Sequence, residues 1–124
     1  YEMTKSEDGK TFTWTGNVYD DYREMKFALL QQSNIGDVQL MPNMNGATNK
    51  NVDLGVEMDA YPVIYYDKGE NDPIKRDNKW VITEKGTYTV TVNVETMKVK
   101  VEKFIWLEVF YQWQRVKIKP MVMI

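Results

Sequence analysis

The chain has 124 residues, which suits a single domain, and a formal net charge of -2. This charge offers no basic surface to phosphates, so nucleic acid is excluded as an expected partner. The absence of Cys excludes a disulfide framework, and the absence of His removes the commonest general base and metal ligand. No apolar run approaches the length of a membrane span. Because the chain starts at Tyr1, without a Met or a signal peptide, we expect a processed or excised piece.

The first predicted strand is a short alternating segment near the N-terminus. In residues 11–15, Phe12 and Trp14 are expected to face inward, and the three threonines are expected to face outward. The following residues, 16–21, include Gly, Asn and Asp, which are typical of turns. We therefore predict a loop after this strand.

A second strand is predicted over residues 24–30. Its apolar side chains share one face: Met25, Phe27 and Leu29. Lys26 has the opposite parity, so we expect it to be exposed on the surface of the sheet. Intrinsic propensity also permits a helix over residues 20–32, but the loop and strand on either side favour a strand.

The middle of the chain is the least regular part of the sequence. Val38–Met41 is predicted as a short strand that ends at a Pro, and Val52–Val56 as a weak edge strand. Between them, residues 43–51 contain four Asn and are predicted to form an exposed loop. Pro62–Tyr66 is predicted as a fuller strand.

The most regular pattern lies in residues 78–101, which predict a strand, a Gly turn, a long strand, a tight turn and another strand. In the long strand, apolar residues alternate with Thr and Asn, as in a half-buried antiparallel strand. These apolar residues are Tyr88, Val90, Val92 and Val94. After a turn at residues 95–96, Met97, Val99 and Val101 alternate with lysines. About seven short strands at close spacing predict an all-β protein, an antiparallel β-sandwich.

Three large aromatic side chains are predicted to pack in the core. Trp14, Trp80 and Tyr88 have the inward parity of their strands, and each such side chain buries ~150–250 Å². Tyr88 stands two residues after Gly86, like the Tyr whose hydroxyl ties the corner of a β-sandwich. We therefore expect these residues to stabilise the fold rather than to bind a ligand.

Four segments of the chain follow one another in an informative order. They are Gly-Lys-Thr-Phe-Thr-Trp-Thr-Gly (9–16), Met-Lys-Phe (25–27), Asp-Asn-Lys-Trp-Val-Ile (77–82) and Gly-Thr-Tyr-Thr-Val-Thr-Val (86–92). Together they resemble the repeated domains of SusE/SusF-type proteins, which are outer-membrane starch-binding lipoproteins of gut Bacteroidetes. The resemblance covers residues 3–103 of the chain.

The resemblance implies an immunoglobulin-like antiparallel β-sandwich over residues 1–103 that lacks its usual first strand. It implies a non-catalytic, cell-surface module that binds starch or maltooligosaccharides at the outer membrane. The implied partners are an oligosaccharide or polysaccharide and other outer-membrane glycan-uptake proteins. The implied contact with the membrane is only through a lipid anchor outside this chain. We expect no cofactor.

A glycan site needs exposed aromatic rings, which stack on the flat C–H faces of sugars, and polar side chains that bind hydroxyl groups. The resemblance implies that Lys26 hydrogen-bonds sugar hydroxyls. The family also has a binding aromatic shortly after this strand, whereas residues 35–37 of this sequence contain none. We therefore expect the stacking residue at Tyr65 or Tyr66, one of which faces outward on a strand. The alternatives are two tyrosines of an earlier loop, Tyr19 and Tyr22.

The C-terminal tail, residues 104–124, begins with the most apolar stretch of the chain. Its segments Ile105-Trp106-Leu107, Trp113 and Pro120-Met121 look like a degraded beginning of a module of the same family. We expect the tail to fold back as an added strand, which brings Trp113 near Lys26 as a stacking platform. Core packing of Trp113, strand exchange with another copy and an arbitrary chain boundary are the alternatives.

An enzyme or a calcium site would use the carboxylates of the central and N-terminal loops. These are Asp20, Asp21, Asp53, Glu57 and Asp59. None of them stands in an apolar setting that would raise its pKa, and no segment resembles a 12-residue calcium loop. We therefore predict that the chain is not an enzyme and binds no metal ion. The alternative to a glycan-binding module is a structural spacer or protein-interaction domain without a sugar site.

Overall fold

The computed structural model describes residues 1–28, 37–43, 45–46, 48–65 and 77–104. These residues form eleven β-strands and no helix, which confirms the prediction of an all-β chain. The strands are β1 (Thr4–Lys5), β2 (Thr11–Val18), β3 (Arg23–Met25), β4 (Phe27–Ala28), β5 (Asp37–Met41), β6 (Lys50–Asn51), β7 (Met58–Asp59), β8 (Tyr61–Tyr65), β9 (Trp80–Ile82), β10 (Gly86–Asn93) and β11 (Lys98–Lys103). In this described part of the chain, no helix is long and apolar enough to cross a membrane.

The larger sheet has five antiparallel strands in the order β1-β2-β10-β11-β7. Its central strand, β10, pairs along its whole length with β2, from Gly86 opposite Val18 to Asn93 opposite Thr11. Alternate residues of β10 are buried, as the period-2 pattern predicts. The predicted hairpin of β10 and β11 is therefore confirmed, with its turn over residues 94–97.

Two smaller sheets have the orders β3-β9-β6 and β4-β5-β8. All their pairings are antiparallel except the short parallel contact between β6 and β9. Buried side chains of all three sheets form one hydrophobic cluster, from Leu40 and Trp80 on the smaller sheets to Val90 and Val101 on the larger one. The smaller sheets thus pack against the larger one, an arrangement consistent with a β-sandwich.

The predicted core aromatics differ in their burial. Trp80 is completely buried, and its ring centroid lies 5.5 Å from that of Phe27. Tyr88 is also buried, and its hydroxyl donates a hydrogen bond to the Glu84 carbonyl oxygen at 2.7 Å, the kind of backbone contact that the sequence predicts for this hydroxyl. Trp14 is only partly buried and packs at the margin of the core.

Two predicted boundaries are wrong. Strand β2 continues through Gly16 to Val18, where the sequence predicts a loop. Gly16 pairs with Tyr88 of β10, so it lies within the strand. The Trp14 ring covers it, and an added Cβ would lie 2.4 Å from Trp14 Cζ2, which explains the glycine. No strand spans Val52–Val56 either, because Gly55 turns the chain there with a φ of 74°.

The predicted strand over residues 24–30 is divided into two. Arg23–Met25 (β3) pairs with β9, whereas Phe27–Ala28 (β4) pairs with β5 in the other small sheet. Lys26 stands at the division, and residues 29–36 lie outside the described residues. One segment of chain therefore links the two smaller sheets, and its strand pairing changes at Lys26.

Asn78 holds the start of β9 against the segment that follows β5. Its side chain is buried, and Nδ2 lies within hydrogen-bond distance of the carbonyl oxygens of Pro42 (3.2 Å), Asn43 (2.5 Å) and Gly46 (2.7 Å). Because an amide nitrogen carries only two hydrogens, at least one of these hydrogens is shared. Part of the predicted Asn-rich loop is thus fixed to the core, although Asn45, Thr48 and Asn49 are exposed as expected.

Candidate functional site

Lys26 is not the exposed surface lysine that its strand parity predicts. Its side chain is only 23% exposed, and Nζ forms an ion pair with the Asp77 carboxylate. The prediction fails because strand pairing changes at Lys26 and because Asp77, just before β9, lies against the same segment. Lys26 retains a polar head group, but one that already has a carboxylate partner.

Lys26 belongs to a chain of four alternating charges, which we call the charged quartet: Glu24, Lys26, Asp77 and Lys79. Lys79 Nζ lies 3.1 Å from the Asp77 carboxylate and 3.5 Å from that of Glu24. The quartet thus combines carboxylate acceptors with ammonium donors over a few ångströms. Such a set can both accept hydrogen bonds from neighbouring sugar hydroxyls and donate hydrogen bonds to them.

The quartet favours the ionised forms of two of its members. Partial burial raises the pKa of Asp77, but hydrogen bonds and positive charge from Lys26 and Lys79 outweigh it and lower the pKa below its usual value. Burial also lowers the pKa of Lys79, but its contacts with Asp77 and Glu24 raise the pKa above its usual value. Asp77 and Lys79 therefore remain charged across the neutral pH range.

Lys26 also lines a groove between β2 and the segment that contains β3 and β4. The groove consists of two adjoining cavities of about 190 and 740 Å³, and both are lined by Tyr1, Met3, Lys26 and Phe27. Tyr1 is fully exposed, and its ring centroid lies 5.6 Å from that of Trp14, which lines the smaller cavity. The groove is therefore lined both by an exposed aromatic ring and by Lys26, a combination that the sequence did not predict.

The other predicted site residues lie partly outside the described residues. Trp113 and Tyr66 are not among them, so their predicted roles remain predictions. Tyr65 ends β8, but its side chain is not described. The two alternative tyrosines are both exposed, Tyr19 by 74% and Tyr22 by 57%. Tyr19 lies in a different pocket from Lys26, at one end of the larger sheet.

The carboxylates considered for catalysis or calcium binding do not converge. Asp20 accepts a hydrogen bond from Arg23 Nη2 at 2.7 Å, and Asp59 pairs with Lys98 on the neighbouring strand. Within the described ranges, no three Asp or Glu side chains lie close enough together to hold a metal ion. Asp20 and Asp59 instead form pairwise contacts at the surface.

No protein-family model, curated protein or solved structure matches this chain.

Proposed function

We propose that the chain is a non-catalytic glycan-binding module with an immunoglobulin-like fold, and that its sugar site is the groove beside the charged quartet. The observation that carries this proposal is the presence of Lys26 and the exposed ring of Tyr1 in the same two cavities. A sugar ring requires this combination, because its C–H face is apolar and its rim carries hydroxyl groups. Starch-like chains are the proposed ligands, on the strength of the sequence resemblance.

Each part of the groove has a role in this proposal. The ring of Tyr1, backed by Trp14, offers a face for the apolar side of a pyranose. In this proposal Lys26 and its ion-pair partner Asp77 share a pair of hydroxyls, with the ammonium donating and the carboxylate accepting. Because the two groups already bind each other, a sugar replaces part of their contact, and the net gain per site is small.

Two observations support the proposed immunoglobulin-like fold. The first is the hydroxyl of Tyr88, which binds the backbone four residues upstream, as in the corner of immunoglobulin-like sandwiches. The second is the antiparallel pairing of the larger sheet around β10. The outer-membrane location, the lipid anchor outside the chain and the glycan-uptake partners rest on the sequence resemblance. Several linked modules would raise a weak affinity per site through effective concentration.

A titration with maltoheptaose tests the proposal, with Trp fluorescence as the readout because Trp14 lines the groove. We expect a saturable change in the wild type and an affinity about tenfold lower in Lys26→Ala, which corresponds to ~1.4 kcal/mol. Lys98→Ala is the matched control, since Lys98 also pairs with an Asp but lies on β11, away from the groove lining. The control should bind like the wild type.

A structural spacer is the competing function, and it too has a supporting observation. The polar atoms of Lys26, Asp77 and Lys79 bind one another, as they would in a surface that only needs to be stable. A flat fluorescence and calorimetric response to glucans and mannans alike would favour the spacer and reject glycan binding.

A further inference from the structure

We propose a second carbohydrate subsite at one end of the larger sheet, centred on the exposed ring of Tyr19. It rests on the proposed glycan-binding function and extends the site along the molecule. The subsite is an open pocket of about 570 Å³, which we call the end pocket. The side chains that matter for its chemistry are Asn17, Tyr19, Lys85, Thr87, Lys103 and Phe104.

The Tyr19 ring is held in place without being covered. Its hydroxyl accepts a hydrogen bond from Asn17 Nδ2 at 3.3 Å, and Asn17 Oδ1 accepts one from Thr87 Oγ1 at 2.6 Å. Asn17 and Thr87 are cross-strand partners of β2 and β10, so this relay is anchored in the most extensive pairing of the sheet. A ring fixed at its edge and 74% exposed loses little entropy when a flat ligand stacks on it.

A second aromatic side chain lines the same pocket. Phe104 is 48% exposed, and its backbone N–H donates to the Thr87 carbonyl oxygen at 2.8 Å. Thr87 therefore connects to both aromatic residues, through its hydroxyl to the Tyr19 relay and through its carbonyl to the backbone of Phe104. These exposed aromatic side chains in one open pocket offer apolar faces on which a flat ligand can stack.

Polar groups surround these rings in the arrangement that sugar hydroxyls require. Lys103 Nζ binds Glu84 at 2.7 Å and lies 6.0 Å from the centroid of the Tyr88 ring, so its ammonium has a defined position at the pocket. Lys85 and the Thr87 hydroxyl add further donors and acceptors. The ligand class that fits is a neutral glycan, whose pyranose faces are apolar and whose hydroxyls bind ammonium and hydroxyl groups.

The end pocket adjoins the groove. Asn17 and Val18 line both the end pocket and the smaller cavity of the groove. In this proposal a single oligosaccharide with one sugar beside Lys26 extends past Asn17 toward Tyr19 as its length increases. The affinity should rise with chain length only while the end pocket is intact.

Calorimetric titration with maltooligosaccharides of increasing length, from maltose to maltoheptaose, tests this inference. We expect Tyr19→Ala to remove the gain in affinity with length, about tenfold for the heptasaccharide, and to leave maltose binding unchanged. Tyr22→Ala is the matched control, because Tyr22 is exposed in the same loop but does not line the end pocket. Tyr19→Phe, which keeps the ring and loses the bond to Asn17, should retain most of the gain.

The outcomes separate this inference from the proposed function. If Tyr19→Ala retains the full gain with length, the end pocket is not a subsite, although glycan binding by the groove stands. If Lys26→Ala weakens maltose and maltoheptaose equally while Tyr19→Ala weakens only the longer ligand, both subsites are supported. A wild type that binds no member of the series overturns both proposals.

Discussion

The hairpin of β10 and β11 and the segment that contains β3 and β4 have similar alternating sequences but different structures. The hairpin is continuous, and every second residue of β10 from Tyr88 to Val92 is buried. The other segment changes its pairing strand at Lys26, and a half-buried ion pair forms at that position. The difference shows that alternation predicts which face is buried only where one pair of neighbouring strands covers the whole segment.

The largest expected effect concerns the tryptophans that pair with these two regions: Trp14 lies opposite Val90 of β10, and Trp80 lies opposite Met25 of β3. Trp80 is completely buried against Phe27, whereas Trp14 is partly buried beside the groove. We expect Trp80→Ala to lower the free energy of unfolding by about 3–5 kcal/mol and Trp14→Ala by clearly less, because less of Trp14 leaves water on folding. Urea denaturation measures both values.

A second variant keeps this test informative if Trp80→Ala does not fold. Trp80 Nε1 is buried without a hydrogen-bond partner, so Trp80→Phe removes an unsatisfied donor together with part of the ring. We expect it to cost about 1–2 kcal/mol. Equal losses for Trp14→Ala and Trp80→Ala would contradict the distinction between a packed core and an open groove.

The contact of Asn78 with the segment after β5 gives the next largest effect. Asn78→Ala removes the amide that binds the carbonyl oxygens of Pro42, Asn43 and Gly46. We expect a loss of about 2–3 kcal/mol, since these carbonyls lose their partner in a largely buried place. Asn45→Ala, in the same loop but exposed, should change the free energy of unfolding by less than about 0.5 kcal/mol. A loss of similar size for the two variants would show that Asn78 does not hold this loop.

The smallest expected effect is the pH dependence that the charged quartet contributes. The pKa of Asp77 is lowered in the folded chain, so its stabilisation is present above the unfolded pKa of about 3.9 and is lost as pH falls through the folded value. Because Asp77 is almost half exposed, we expect Asp77→Asn to cost less than about 1 kcal/mol at pH 7. The difference from wild type should vanish in strong acid.

Lys79 contributes the opposite pH dependence of the free energy of unfolding, at high pH. Its pKa is raised in the folded chain, so its contribution is complete below the unfolded value of about 10.4 and is lost as pH rises through the folded value. Thermal unfolding measured across pH follows both the loss of stability in acid and the loss in alkali. Asp59→Asn, which removes the carboxylate of a more exposed ion pair, is the comparison variant. If wild type and Asp77→Asn lost the same stability as the pH falls, that loss would come from other carboxylates.

The sequence predicted the structure well wherever local periodicity decides it. The alternation of β10, the turn before β11, the buried positions of Trp80 and Tyr88 and the Tyr88 hydroxyl contact all follow from patterns within a few residues. The division of the predicted strand at Lys26 cannot be read from a local pattern, because Asp77 and the two pairing strands are distant from it in sequence. Gly16 resembles a turn glycine until the position of the Trp14 ring above it is known.

The candidate sites were less predictable than the fold. Lys26 was identified from the sequence, but its ion pair and its neighbour Tyr1 depend on how distant segments meet. Tyr19 is an alternative stacking residue in the sequence, and its bond to Asn17 has a local signal, since Asn17 lies near the end of β2 and Tyr19 follows it by two residues. The role of Thr87 in that relay is visible only once β2 and β10 are paired.

The amide of Asn78 also has a consequence for how the chain folds. It joins residues that are 32 to 36 positions apart, so its contacts close a large loop of chain. Closing about 35 residues costs on the order of 3 kcal/mol in chain entropy, an amount comparable with what the amide contributes. The contact therefore gains little until the sheets on either side have met, and we expect it to form late in folding. We therefore expect Asn78→Ala to accelerate unfolding far more than it slows folding, and so to shorten the lifetime of the native state.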